Sequence, residues 1–273
     1  MWTGIERKPV IKYLALTFLI AWASELFLIM GERTGILHDS VGFIVTYAVI
    51  GFGAGFAPAY AVYILLKKSQ QIRGIRDFCK LIFNANHSSA KRTILTTAVF
   101  FASQLIASIL VDDYLGGAWY LFIVTIPLMM IGGGIEEIGW RGFFQPALED
   151  RFSFPVAGIV TGAVWAVWHL PLWFVVTASQ SSLDFFAFLS FCIVFSFVLA
   201  VLYKLTRNVF ACVMLHAWSN VLGSMFERGQ SELPDAKTLV LYSIEIVLSI
   251  AIYVAVSRND SGLRGNDGGS SRE

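Results

Sequence analysis

Seven ionisable side chains fall inside the long apolar stretches of this chain: Glu25, Glu136, Glu137, Arg141, His169, His216 and Glu245. A charge in hydrocarbon is costly, so such groups are candidates for function by default. Three of them lie in GGGIEEIGWRGFF, residues 132–144, directly after the run AWYLFIVTIPLMMI. If one helix continues through this stretch, Glu137 and Arg141 are four residues apart and can pair. Glu136 then points about 100° away, with no cation on its own helix, and is free to face a cavity. The alternative, three interfacial charges reaching out to water, stays open at this point.

Of the four histidines, His38 and His87 fall in loops, which leaves His169 and His216 as the intramembrane imidazoles. In WAVWHLP, four-residue spacing puts Trp165 over the face of His169; in HAWSN, His216 and Asn220 point to one side of their helix. An unpaired carboxylate, two imidazoles and an amide are groups that exchange protons and donate hydrogen bonds, and one shared polar site is expected. By depth they meet only if the helix bearing Glu136 extends to about Phe143, or if the next helix starts late, after Pro155. The first is expected, because WRGFFQPALE continues with good helix formers until Pro146. Gly132, Gly133 and Gly134 give neighbours access to the backbone beside Glu136.

The elements that must position these groups follow from composition. The 273 residues are 56% hydrophobic and 14% charged, with mean hydropathy +0.68, whereas soluble domains carry charges at about a quarter of positions. A bilayer core needs about 20 consecutive apolar residues per helix. About eight such runs occur, near 9–30, 41–66, 93–110, 118–138, 154–176, 184–203, 206–226 and 238–256. The expectation is an all-α, polytopic membrane protein with about eight transmembrane helices. Residues 1–257 form one domain, with a site-bearing core at about 118–226.

A net charge of +1 and the absence of a basic stripe interleaved with aromatics set nucleic acid aside. Cys192 and Cys212 lie in apolar runs and Cys79 in a basic loop, so neither a disulfide framework nor a CxxC metal pair is visible. Arg7 and Lys8 precede a run that spans a full bilayer, with no small-residue cleavage site after it, so it reads as a retained first helix.

Lysines and arginines gather on the cytoplasmic side of short loops. The connection after the second run holds Lys67, Lys68, Arg73, Arg76, Lys80, Lys91 and Arg92, and that after the third holds Asp112 and Asp113. This makes the first cytoplasmic and the second external. Both termini, residues 139–153 and the Lys204/Arg207 turn are then cytoplasmic, and the connection with Glu227, Glu232 and Asp235 is external. Residues 71–92 alternate basic and apolar types, which suits either a segment lying on the cytoplasmic leaflet or a plain loop. Residues 258–273 read as a solvated, disordered cytoplasmic tail. Gly51/Gly55, and Gly158/Gly162 followed by Ala166, have the spacing of close helix contacts.

Taken in order, Glu136-Glu137-x-x-x-Arg141, Trp165-x-x-x-His169 and His216-x-x-x-Asn220 resemble the motifs of the CAAX prenyl endopeptidase and bacteriocin-processing (CPBP, or abortive-infection) intramembrane protease family. The resemblance covers about residues 118–226. One departure is that the aromatic position is usually phenylalanine in the family and is Trp165 here. The resemblance implies peptide-bond hydrolysis in the membrane plane near the cytoplasmic face, with a peptide or protein substrate. It implies Glu136 as the general base that takes a proton from water, with His169 holding the same water. His216 and the Asn220 amide then donate to the oxyanion, and Glu137, Arg141 and Trp165 support the geometry.

Glu136, His169 and His216 would also match a two-histidine, one-glutamate zinc set. If Glu136 were a ligand, however, the base would have to be another carboxylate, and no HExxH occurs. A metal-free glutamate mechanism is therefore favoured, with a divalent metal such as zinc as the alternative. The location expected is a prokaryotic plasma membrane. Other readings are a narrow bacterial role in bacteriocin maturation or self-immunity, a proton-coupled transporter and an idle membrane scaffold. The transporter reading is disfavoured because residues 1–130 hold no second copy of the motif to make an inverted repeat. Glu25 and Glu245 are expected near the external helix ends, away from the site, in structural roles.

Overall fold

Apolar runs become helices because lipid offers no partner for backbone N–H and C=O groups, which must then bond within the segment. A computed structural model of the chain describes residues 9–37, 40–83, 90–116, 118, 120–227 and 234–267. It is all-helical apart from a two-residue antiparallel pairing of Asp113–Tyr114 with Phe226–Glu227. The elements are α1 (Val10–Arg33), α2 (Val41–Lys68), α3 (Ile75–Phe83), α4 (Ala90–Val111), α5 (Leu121–Gly132), α6 (Gly134–Glu149), α7 (Phe154–Trp168), α8 (Phe185–Thr206), α9 (Val209–Met225) and α10 (Ala236–Asp267).

The helix starts are set by local chemistry. The Asp184 carboxylate accepts from the N–H groups of Phe186 and Ala187 at 2.8 and 2.9 Å, Asn208 accepts from Ala211, and Asp235 accepts from Thr238. Pro155 opens α7, where its missing N–H costs nothing. Arg207, at φ 51°, ends α8 and turns the chain into α9 within two residues.

Each of the eight apolar runs carries a helix. Six helical segments among the described residues are long and apolar enough to cross a membrane, and the bent pair α5–α6 makes up to seven. The eighth, α9, is apolar but has 17 residues, so the expected count of eight is approximate. Large apolar side chains such as Ile11, Ile94, Leu110, Ile123, Val247 and Leu128 are exposed around the periphery. That surface is stable only against lipid. The buried core is aromatic-rich and lies where α6, α7, α8 and α9 meet α1 and α2.

Three features differ from the sequence reading. The helix expected to run straight past Glu136 breaks at Gly133, bends by 42°, and resumes as a tight turn at Gly134–Glu136 followed by a wide turn at Trp140–Phe144. A Cβ on Gly134 would lie 2.5 Å from the Val213 carbonyl oxygen, so α9 crosses the break in near backbone contact. Gly51 and Gly55 are not a packing face, since α2 winds into a wide turn over Val49–Gly55 and Gly53 instead faces α1, at Ser24. The last helix continues to Asp267, into the stretch expected as a disordered tail. His38, His87, Glu232 and residues 268–273 lie outside the described residues.

Gly158 and Gly162 do sit at a close crossing, with α8 against Ala200 in the first case and the backbone of Cys192 and Ile193 in the second. The 71–92 stretch contains the amphipathic helix α3, whose Phe78, Leu81 and Ile82 are buried while Ile75 and Phe83 are exposed. Phe78 meets Tyr63 of α2 and Phe83 meets Phe210 of α9.

Candidate active site

Glu136 and Glu137 leave the first turns of α6 on different sides. Glu137 is fully buried and faces Arg141 across one helical turn, at 3.4 Å from Oε2 to Nε. Its other oxygen, Oε1, lies 2.9 Å from His216 Nδ1, a contact the spacing did not reveal. Arg141 reaches further: its Nη2 donates to the Ser196 carbonyl at 3.2 Å and hydroxyl at 3.1 Å, and the Ser196 hydroxyl donates to the Gly158 carbonyl at 2.7 Å. One buried chain of polar contacts thus joins α9, α6, α8 and α7. Ser196 had a weak signal in sequence, a lone hydroxyl in the apolar run FSFVL.

Glu136 is buried too, and among the described residues no lysine or arginine pairs with it. Its Oε2 accepts a hydrogen bond from the Trp165 indole nitrogen at 2.6 Å. The Trp165 ring lies edge-to-face with His169, centroids 5.6 Å apart, and with His216, at 5.2 Å. The acid and both imidazoles therefore border one side chain. Phe188 and Trp168 close around His169, and Phe195 packs on His216.

His169 caps the end of α7, and its Nδ1 lies 2.9 Å from the Trp165 carbonyl. A carbonyl only accepts, so Nδ1 carries the proton and Nε2 of the neutral ring is an acceptor. In His216 the Glu137 carboxylate fixes Nδ1–H in the same way. The opposite edge of His216 faces the helix break: a Cβ at Gly133 would lie 3.3 Å from His216 Nε2 and 2.5 Å from Asn220 Nδ2. The two polar groups of α9 thus converge on the space a side chain at 133 would fill.

Two residues of α1 lie buried in the core. Glu25 is fully buried, and among the described residues neither of its oxygens has a hydrogen-bond partner. Tyr13 is also buried; it packs on Trp140, Phe143 and Phe144. Both belong to the first helix, far in sequence from the motifs. Trp22 of the same helix donates to the Trp168 carbonyl at 3.0 Å, beside His169.

Among the described residues no group of three or more His, Cys, Asp or Glu side chains is placed to hold an ion. The set Glu136, His169 and His216 does not form one.

Residues 117–222 match the family model for type II CAAX prenyl endopeptidase, Rce1-like. The chain is similar to that family over this stretch. The matched segment holds all seven residues of the three motifs, from Glu136 to Asn220, and leaves out α1 to α4 and α10. A relative described as CAAX prenyl protease 2, from Methanococcus maripaludis, is 29% identical over 146 residues, which is 49% of this chain and 54% of the relative. The chain thus spans about half the length of the curated relative it matches.

Proposed function

We propose that the protein is an intramembrane endopeptidase that hydrolyses a peptide bond with a glutamate-activated water. The observation that carries this is the meeting of one carboxylate and two imidazoles, from α6, α7 and α9, around the buried Trp165 side chain. Glu136 takes a proton from water, and the oxygen attacks the scissile carbonyl carbon. Trp165 engages one carboxylate oxygen, and the reaction draws on the other. His169, with Nε2 as acceptor, holds the same water. As the tetrahedral intermediate forms, negative charge develops on the carbonyl oxygen, and Asn220 Nδ2 with His216 Nε2 donate to it beside Gly133. Because Nδ1–H is committed to Glu137, Nε2 of His216 can donate only from the imidazolium form. The C–N bond then breaks, and the proton on Glu136 passes to the leaving amine.

The lysine- and arginine-rich connections support a reading in which 139–153 and both termini are cytoplasmic and the site opens toward that face. No metal takes part in it. The name of the archaeal relative supplies the first probe, a synthetic peptide ending in a prenylated cysteine followed by three residues. With protein reconstituted in liposomes, Glu136→Gln is expected to abolish its cleavage while the protein still inserts. Cleavage at the wild-type rate removes Glu136 as the base. Elemental analysis of the active preparation addresses the metal: stoichiometric zinc whose removal stops cleavage would overturn the metal-free reading.

A further inference from the structure

The sequence treats Trp165 as the aromatic of its motif, a position at which phenylalanine is common. The structure gives its indole nitrogen a separate task. Three other tryptophans, Trp22, Trp173 and Trp218, donate to backbone carbonyls. Trp165 donates to a carboxylate, at 2.6 Å and in a buried setting. Indole nitrogen is a donor with no acceptor capacity, so Glu136 accepts in this contact, and an ionised carboxylate accepts more strongly than a protonated one. The ring that aims it is held by His169, His216 and Phe195. A hydrogen bond to the charged form of an acid favours that form, and charge-assisted bonds are short and about twice as strong as neutral ones.

We infer that Trp165 is a positioning residue, whose indole N–H orients the Glu136 carboxylate and holds it ready to accept a proton. This rests on the reading of Glu136 as base. A phenylalanine keeps the ring contacts and loses the donor, so Trp165→Phe separates packing from hydrogen bonding.

Two measurements test it. The first is the pH dependence of kcat/KM for Trp165→Phe on the prenylated-cysteine peptide. A hydrogen bond to a charged group is worth about 1.5–3 kcal/mol, so its loss moves the acid limb up by about one pH unit. The rate on that limb falls about tenfold, while KM changes less than about twofold. An acid limb that stays in place, or a loss that is equal at every pH, overturns the proposal. The second needs no activity: indole 15N–1H spectra of protein labelled at tryptophan, with the Trp165 signal assigned by its absence in Trp165→Phe. Glu136→Gln is expected to move that signal upfield by weakening its acceptor, and a signal that does not respond overturns the proposal. If Glu136→Gln moves the signal yet cleaves normally, the contact stands and the reading of Glu136 as base fails; if it is inactive and Trp165→Phe retains the wild-type profile, the reverse holds.

Discussion

Two neighbouring carboxylates at the start of α6 have different company, and their variants should differ accordingly. Glu137 touches both Arg141 and His216, and removing one member of a buried pair leaves an uncompensated charge, at about 3–5 kcal/mol. Glu137→Gln is therefore expected to lower the melting temperature in detergent and, by loosening His216, to lower kcat as well. A variant with the wild-type melting curve would show that the pair contributes little to the fold. Gly133→Ala should act on chemistry alone. Its methyl group meets the end of the Asn220 side chain, which can swing away, so the fold is kept while a donor is lost, at about 10²–10³ in kcat. Equal activity of Gly133→Ala and wild type would move the oxyanion away from Gly133. The Glu137–Arg141 pair was legible because helix geometry fixes which residues share a face. The Glu137–His216 and Trp165–Glu136 contacts were not, because they span 79 and 29 residues and depend on how helices dock.

Among elements, α7 crosses α8 closely, whereas Gly51 of α2 faces open space. At Gly162 a Cβ would lie 2.6 Å from the Cys192 carbonyl oxygen and 2.7 Å from the Ile193 Cα, and neither backbone atom can give way. Gly162→Ala is expected to destabilise by about 1–3 kcal/mol, the cost of overpacking. Gly51→Ala, where a Cβ meets open space, should leave thermal unfolding unchanged or raise its midpoint. The reverse order would mean that Gly51, with the same small-residue spacing, is the real contact. Spacing alone suggested both pairs. It could not show that the wide turn at Val49–Gly55 leaves Gly51 facing open space, nor that α9 crosses close to the backbone at Gly134 beside the helix break, since both depend on how helices dock.

For the whole molecule, the apolar runs made the fold class and the order of helices readable, because length and hydropathy act locally. Topology is testable through the cysteines. Cys79 is exposed on α3, whereas Cys192 and Cys212 are buried. In intact cells Cys79 should resist a membrane-impermeant maleimide and react once the membrane is opened, the other two staying unlabelled; labelling of Cys79 from outside would invert the assigned orientation. The stretch that matches the family begins after four helices, yet α1 supplies Trp22 to the carbonyl next to His169 and packs Tyr13 on Trp140, Phe143 and Phe144 of α6. The recognisable module is thus not a self-sufficient one: residues 117–222 expressed alone should lack a properly closed pocket, and supplying the amino-terminal helices as a separate polypeptide should bring it back.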